Sequence, residues 1–413
     1  MLMQHPDAST SLPSSVFPFD ADIVDCLLTT LPDIHSLESF VLSSKFVYDV
    51  FQSHRTCVLK AVVSNHLGPV VPQAMCLVKV MVDVRAYWHG WLAPVAINKL
   101  PKESDFRHDF IVTMREAHII ADNHDVVQEL EGLYSWRQKD PRSTDSQLTQ
   151  KESARFQRAM YRVWFVSAMY GRPAPPHRVD KSKSKRLKAV LKEMHQMQLR
   201  CLQSYPSTEF ALLLEAWNFL SSIADWACRA EYLPQQTKYR SLNAYFLWSG
   251  PKTTLQAFHG KVTSIDRKMV PSMAASYEQF PEAFSLVAAS ALKDVTGILD
   301  SPEDCVINGL RCDQCTRLAA MNLWGRPNWA YLRGILPPSK LFDLLDIPWW
   351  NSFTDADSLE KLCRSVSYAQ LVEEVFALRS KHYKRWRSEA WLCTDCLCTF
   401  LRDNIEPWCH SRN

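Results

Sequence analysis

Four residues have the types and spacing to do chemistry together: Cys312 with Cys315, and Cys393 with Cys396. In each CxxC pair a two-residue gap lets one tight turn aim two thiolates at a single point, and two such turns make the closed, four-ligand site that a structural zinc ion prefers. With 13 cysteines in 413 residues, random placement would give roughly 0.4 such pairs, so two exceed expectation. The 77 residues between Cys315 and Cys393 far exceed the roughly 15–20 of a compact zinc ribbon. A shared metal must therefore clasp distant segments around a folded insertion. Unmetallated thiols are the competing reading, and Cys398, Cys409 and His410 lie close enough to the second pair to replace one of its ligands. Cys26, Cys57, Cys76, Cys201 and Cys228 sit among apolar neighbours and read as small core residues.

The amino terminus, Met1 to Phe17, has no basic stretch followed by a sustained apolar run. A reduced, intracellular, cytoplasmic or nuclear protein without disulfides is the expectation. No stretch reaches the roughly 18–20 uninterrupted apolar residues of a membrane span, so no membrane partner is expected.

Positioning such a site falls to helices. The chain has only 10 glycines in 413 residues, about a third of the usual share, so tight β-hairpins should be scarce. Fourteen Trp, 19 Phe and 13 Tyr supply large apolar side chains for a core. The fold class expected is all-α, a multi-helix array with an N-terminal three-helix motif and a C-terminal lobe clasped by zinc. Residues 1–15 read as a disordered tail, 16–70 as the three-helix motif, 71–300 as a helical middle region and 301–413 as the lobe.

Apolar periodicity places a first helix after Asp20, with Ile23, Val24, Leu27, Leu28 and Leu31 on one stripe and Pro32 ending it. A second helix carries Leu37, Phe40, Val41, Phe46, Val47 and Val50, and a third runs from Arg55 to about Leu67. Further helices are expected at Met75–Tyr87, Ala154–Tyr170, Lys183–Cys201 and Glu209–Glu231, with a polar break at Gln138–Gln150. The strongest period covers Ser358–Trp386, with Glu373 and Glu374 facing outward and Thr354 and Asp357 as a capping box. That helix would return Cys393 and Cys396 to the first pair.

Net charge is only +3, yet residues 151–200 hold 13 Lys and Arg against Glu152, Asp180 and Glu193, a local +10 that leaves −7 for the rest. The densest part, Arg178, Lys181, Lys183, Lys185, Arg186 and Lys188, follows three prolines near 172–188 and reads as a solvated basic linker. Nuclear import or an acidic partner is the sharper alternative, and a nucleic-acid-associated zinc protein is a competing function. The small net charge disfavours nucleic acid.

The segment Phe17 to Val58, above all LPDIHSLESFVLSSKFVYDVF from Leu31 to Phe51, resembles the F-box-type helical motif of fungal proteins. Ile23, Leu27, Leu28, Leu31, Pro32, Leu37, Leu42 and Ser44-Lys45-Phe46 follow that pattern, whereas Phe17-Pro18-Phe19-Asp20 replaces its usual LPxE opening. The C-terminal series of CxxC, the helix Ser367–Leu378 and WLCTDCLCTFL is similar to uncharacterised F-box-like fungal proteins. The resemblance implies that Phe17, Pro18, Ile23, Leu27, Leu28, Leu31, Pro32, Leu37 and Phe46 dock a Skp-type adaptor of a cullin ubiquitin ligase. The remainder would then hold an unknown substrate protein. A helical zinc scaffold without a ligase role is the alternative.

No GxSxG, HExxH, P-loop or GxGxxG occurs. His118, His124 and His382 read as solvated or locally bonded side chains. The expected class is a non-enzymatic interaction protein.

Overall fold

The computed structural model describes residues 19–87, 101–107, 109–139, 147–170, 192–193, 195–231, 236–259, 282–288, 297–300, 311–317, 323–326, 328–329, 332, 368–380 and 390–412. Among these the architecture is all-α: helices throughout, with a single two-stranded ribbon.

Local chemistry sets the first boundaries. Helix α1 (Ala21–Thr30) starts at Asp20, whose carboxylate accepts from the Ala21 N–H at 2.6 Å. Its last carbonyls would be orphaned, and Asn65 supplies them, donating from Nδ2 to Thr29 O at 2.9 Å and Leu31 O at 3.0 Å. Asp33 caps α2 (Ile34–Val41) through the Ser36 N–H at 2.7 Å. Such caps are worth about 1 kcal/mol each.

The periodicity expected one helix from Leu37 to Val50 and another from Arg55; the structure divides the chain elsewhere. Helix α2 ends before Ser44, because the Ser44 hydroxyl accepts from the Val47 N–H at 3.2 Å and starts α3 (Lys45–Leu67) there. Helix α3 then runs through the expected gap. It keeps only a local break at His54 (φ −119°, ψ 19°), where His54 Nδ1 lies 2.8 Å from Asp25 Oδ1. A serine cap outweighed a continuous apolar stripe, which alternation of side chains alone cannot reveal. Gly68, at φ 55°, closes α3 and turns the chain into α4 (Val71–Tyr87).

Helix α5 (Met114–Gln138) begins with a reciprocal capping box between Thr113 and Glu116. Helix α6 (Gln150–Tyr170) follows the polar break, and α7 (Ser207–Glu231), α8 (Gln236–Ser249) and α9 (Pro251–Phe258) complete the main body. Of the expected helix Lys183–Cys201 the structure describes only the end, helical through 195–203. One apolar core runs through all of this, from Val24 and Leu28 of α1 to Ile298 and Leu299. Helices α1–α3 thus share the core of the body.

The helical stretch Lys45–Val82 is long and apolar enough to cross a membrane by length and composition, yet 61% of its most apolar window is buried inside the fold. Core packing accounts for that composition.

Several polar groups taken into this core are paired across helices. Arg162, 9% exposed, donates from Nε to Glu103 Oε1 at 2.7 Å and from Nη1 to Glu209, joining α6 to α7 and to the short turn Glu103–Phe106. Lys79 reaches Glu116 at 2.6 Å, tying α4 to α5. Of the two settings expected for His124, solvated or locally bonded, the structure shows the second: it is 2% exposed, packed edge-on against His66 at 4.5 Å and 3.2 Å from the Tyr161 hydroxyl.

A second, separate core holds β1 (Leu323–Trp324), α10 (Tyr368–Ser380), β2 (Leu392–Cys393) and α11 (Thr394–Arg412). Phe376 stacks on Phe400 and Trp329, pinning α10 to α11 and to the segment after β1. Glu373 is exposed, but Glu374 accepts from Trp408 Nε1 at 2.7 Å instead of facing away. Of the expected helix Ser358–Trp386 the structure describes Tyr368–Ser380; the Thr354–Asp357 cap and His382 lie outside the described residues.

Candidate metal centre

Both CxxC pairs are delivered by short-range backbone geometry. At the first, the Thr316 N–H donates to Cys312 O at 2.9 Å and the Cys312 N–H to Arg317 O at 3.0 Å, curling residues 312–317 into a tight turn. Thr316 sits at φ 57°, a conformation that costs a β-branched residue energy. Two bonds hold it there: its hydroxyl to Cys315 O at 2.7 Å, and Arg311 Nη1 to Thr316 O at 3.0 Å.

The second pair straddles the start of α11. Cys393 ends β2, paired antiparallel with Leu323, and Cys396 lies in the first turn of the helix. A helix N-terminus presents unpaired N–H groups and a partial positive charge, a setting that favours thiolates. Asp313 joins the two turns: its N–H donates to Trp391 O at 2.9 Å, and its carboxylate accepts from the Trp391 N–H at 2.6 Å.

The four sulfurs, Cys312, Cys315, Cys393 and Cys396, consequently lie within 4.8 Å of one another and could hold one metal ion. Cys315 Sγ and Cys393 Sγ are 3.7 Å apart, far from a bonded disulfide. The Cys393 N–H also donates to Cys312 Sγ at 3.2 Å. Burial pushes the Cys312 thiol up, but backbone N–H groups of Cys315, Cys393 and Gln314 outweigh it and bring it down to about 7. Burial and the neighbouring thiols push Cys396 the other way. A divalent cation removes that mutual suppression by deprotonating its ligands together.

Cys398 packs against the second core but does not belong to the four-sulfur group. The side chains of Cys409 and His410 lie outside the described residues. Of the five cysteines expected in the core, Cys76 is buried and Cys201 half-buried, whereas Cys26 and Cys57 are exposed; Cys228 is outside the described side chains. Apolar sequence neighbours misled here, since on a helix the adjacent residue points about 100° away.

The expected docking residues divide between surface and core. Ile23 and Leu27 are 49% and 39% exposed, Phe46 and Pro32 are exposed and Leu31 is half-buried. Leu28 and Leu37 are buried in the protein's own core, which corrects their assignment to a partner. Phe17 and Pro18, and the whole basic segment Arg178, Lys181, Lys183, Lys185, Arg186 and Lys188, lie outside the described residues. Phe19, Leu42 and Tyr48 are exposed apolar side chains that the pattern did not single out for docking.

Residues around the four cysteines that their spacing could not indicate are Asp313, Trp324, Gly325, Trp391 and Thr394. Trp324, fully buried, donates from Nε1 to Thr394 Oγ1 at 3.0 Å. Gly325 lies against the Trp391 ring so closely that a Cβ would fall 2.7 Å from it. Comparison of the chain with family models, curated proteins and solved structures gave no match.

Proposed function

We propose that this chain is a non-enzymatic interaction protein, stabilised in its C-terminal lobe by one structural zinc ion and docked through α1–α3 to a Skp-type adaptor. The supporting observation is the distribution of exposed apolar surface. Of eight exposed large hydrophobic side chains among the described residues, six fall between Phe19 and Tyr48. A folded protein that exposes Phe19, Ile23, Leu27, Leu42, Phe46 and Tyr48 within one short stretch of sequence has the makings of a partner surface. The resemblance of Leu31–Phe51 to an F-box-type motif supports the identity of that partner.

Zinc suits the donor set. Four thiolates without a carboxylate or open position make a closed, soft site. Zinc at about 2.3 Å from each of four sulfurs would set their separations near 3.8 Å, and Cys315 and Cys393 already stand at 3.7 Å. The role is structural because all four ligands come from the protein.

Two measurements on the full chain test this reading. Elemental analysis should give one zinc per chain, not iron, and a purified Skp-type adaptor should co-elute with it. Zinc without adaptor binding would select a helical zinc scaffold with no ligase role.

A further inference from the structure

The metal centre does more than close its own lobe: we infer that it also governs how that lobe seats on the helical body, through the pair Trp324 and Trp136. This rests on the zinc reading and names a consequence of it.

Among the described residues, Trp136 near the end of α5 is the one apolar side chain packed against both cores. Its ring lies 5.3 Å from that of Trp324, tilted by 52°. Trp324 is bound into the ligand frame at three points. Its backbone pairs with Leu392, the residue before Cys393; its neighbour Leu323 pairs with Cys393 itself; its indole N–H donates to Thr394, between Cys393 and Cys396.

Any displacement of Cys393 or Cys396 therefore carries the Trp324 ring with it. The Trp324 ring is wholly buried in the second core, and its two-residue ribbon is not stable alone, so its position follows that core and the ligand frame together. With metal bound, Cys312 and Cys315 hold Cys393 and Cys396 against the first turn, and Trp324 is presented to Trp136. Without metal the frame loosens, Trp324 withdraws, and Trp136 loses the contact that joins the end of α5 to the second core. The centre thus acts as a conformational latch between the two cores, coupled among the described residues through the contact of Trp136 with Trp324.

Hydrogen exchange on the full chain tests the latch, with metal content measured in the same samples. Removing zinc with a chelator should speed exchange in 130–138 by about tenfold or more, while 34–41, on the far side of the body's sequence, stays protected. Trp136→Ala should keep one zinc per chain yet show fast exchange in 130–138 before chelation, with no further change after it. Trp136→Phe, which retains a ring, should restore much of the metal dependence. A zinc-bearing wild type whose 130–138 exchange ignores the chelator overturns the latch and leaves the zinc reading intact. A chain that neither carries nor takes up metal removes both.

Discussion

Cys315 Sγ stands 3.7 Å from Cys393 Sγ although 78 positions separate them in the chain, and that short distance joins the two ends of the C-terminal lobe. The segments meet through the backbone and carboxylate of Asp313, both bonded to the Trp391 backbone, as well as through sulfur. The protein fold thus brings the ligands together, and a metal would lock them.

Cys312→Ser and Cys393→Ser should each abolish stoichiometric metal binding and unfold the lobe around α10 and α11. Structural zinc contributes on the order of 10 kcal/mol of apparent binding energy, more than a small core supplies. Metal analysis with limited proteolysis checks this. Wild-type resistance of residues 368–412 to protease in both variants would make the thiols bystanders.

Gly325→Ala should weaken both lobe and metal site. The added methyl meets Trp391 ring carbons at 2.7–2.9 Å, and a rigid ring cannot yield without moving the backbone that Asp313 grips. Overpacking of this kind costs about 1–3 kcal/mol. A competition titration against a chromogenic chelator should show weaker zinc retention than the wild type; equal retention would place the strain elsewhere.

Ile23→Asp and Leu27→Asp should eliminate adaptor co-elution while changing stability by no more than about 0.5 kcal/mol, as exposed substitutions do. Leu28→Ala, one residue away but fully buried, should instead cost about 2–5 kcal/mol. If the two aspartate variants bind the adaptor as the wild type does, α1 is not the docking face.

Acidification should destabilise the body through its paired histidines. Burial holds His124 down at about 4 and lowers His66, with Asp33 and Asp125 opposing the latter; both titrate near 6.5 when unfolded. Their folded values are depressed, so the unfolded chain binds more protons between 6.5 and about 4, and stability falls as pH drops through that window. From pH 7.5 to 5 the His124 contribution alone is about 2 kcal/mol. Glu103, Glu116 and Glu152, whose carboxyls are drawn below 4.5, keep their contribution until lower pH. Urea midpoints at both pH values, compared with His124→Gln, measure the effect; identical pH dependence in the variant would rule the pair out.

Several features follow from the residues in order along the chain. Scarce glycine and a 3.6-residue apolar period specify helices, because both act over a few neighbouring positions. Each CxxC pair specifies a two-thiol turn for the same reason, since each turn is local, whereas the meeting of the two turns across 78 positions belongs to the tertiary structure. What order alone could not decide is which side chains face inward. Leu28 and Leu37 entered the protein's core while Leu27 stayed in water, and exposed Cys26 and Cys57 parted from buried Cys76. Nor could it reveal the division at Ser44, the buried meeting of His66 with His124, or the contact of Trp136 with Trp324. Those depend on which helices pack together across long stretches of chain, and only the closed tertiary structure sets those distances.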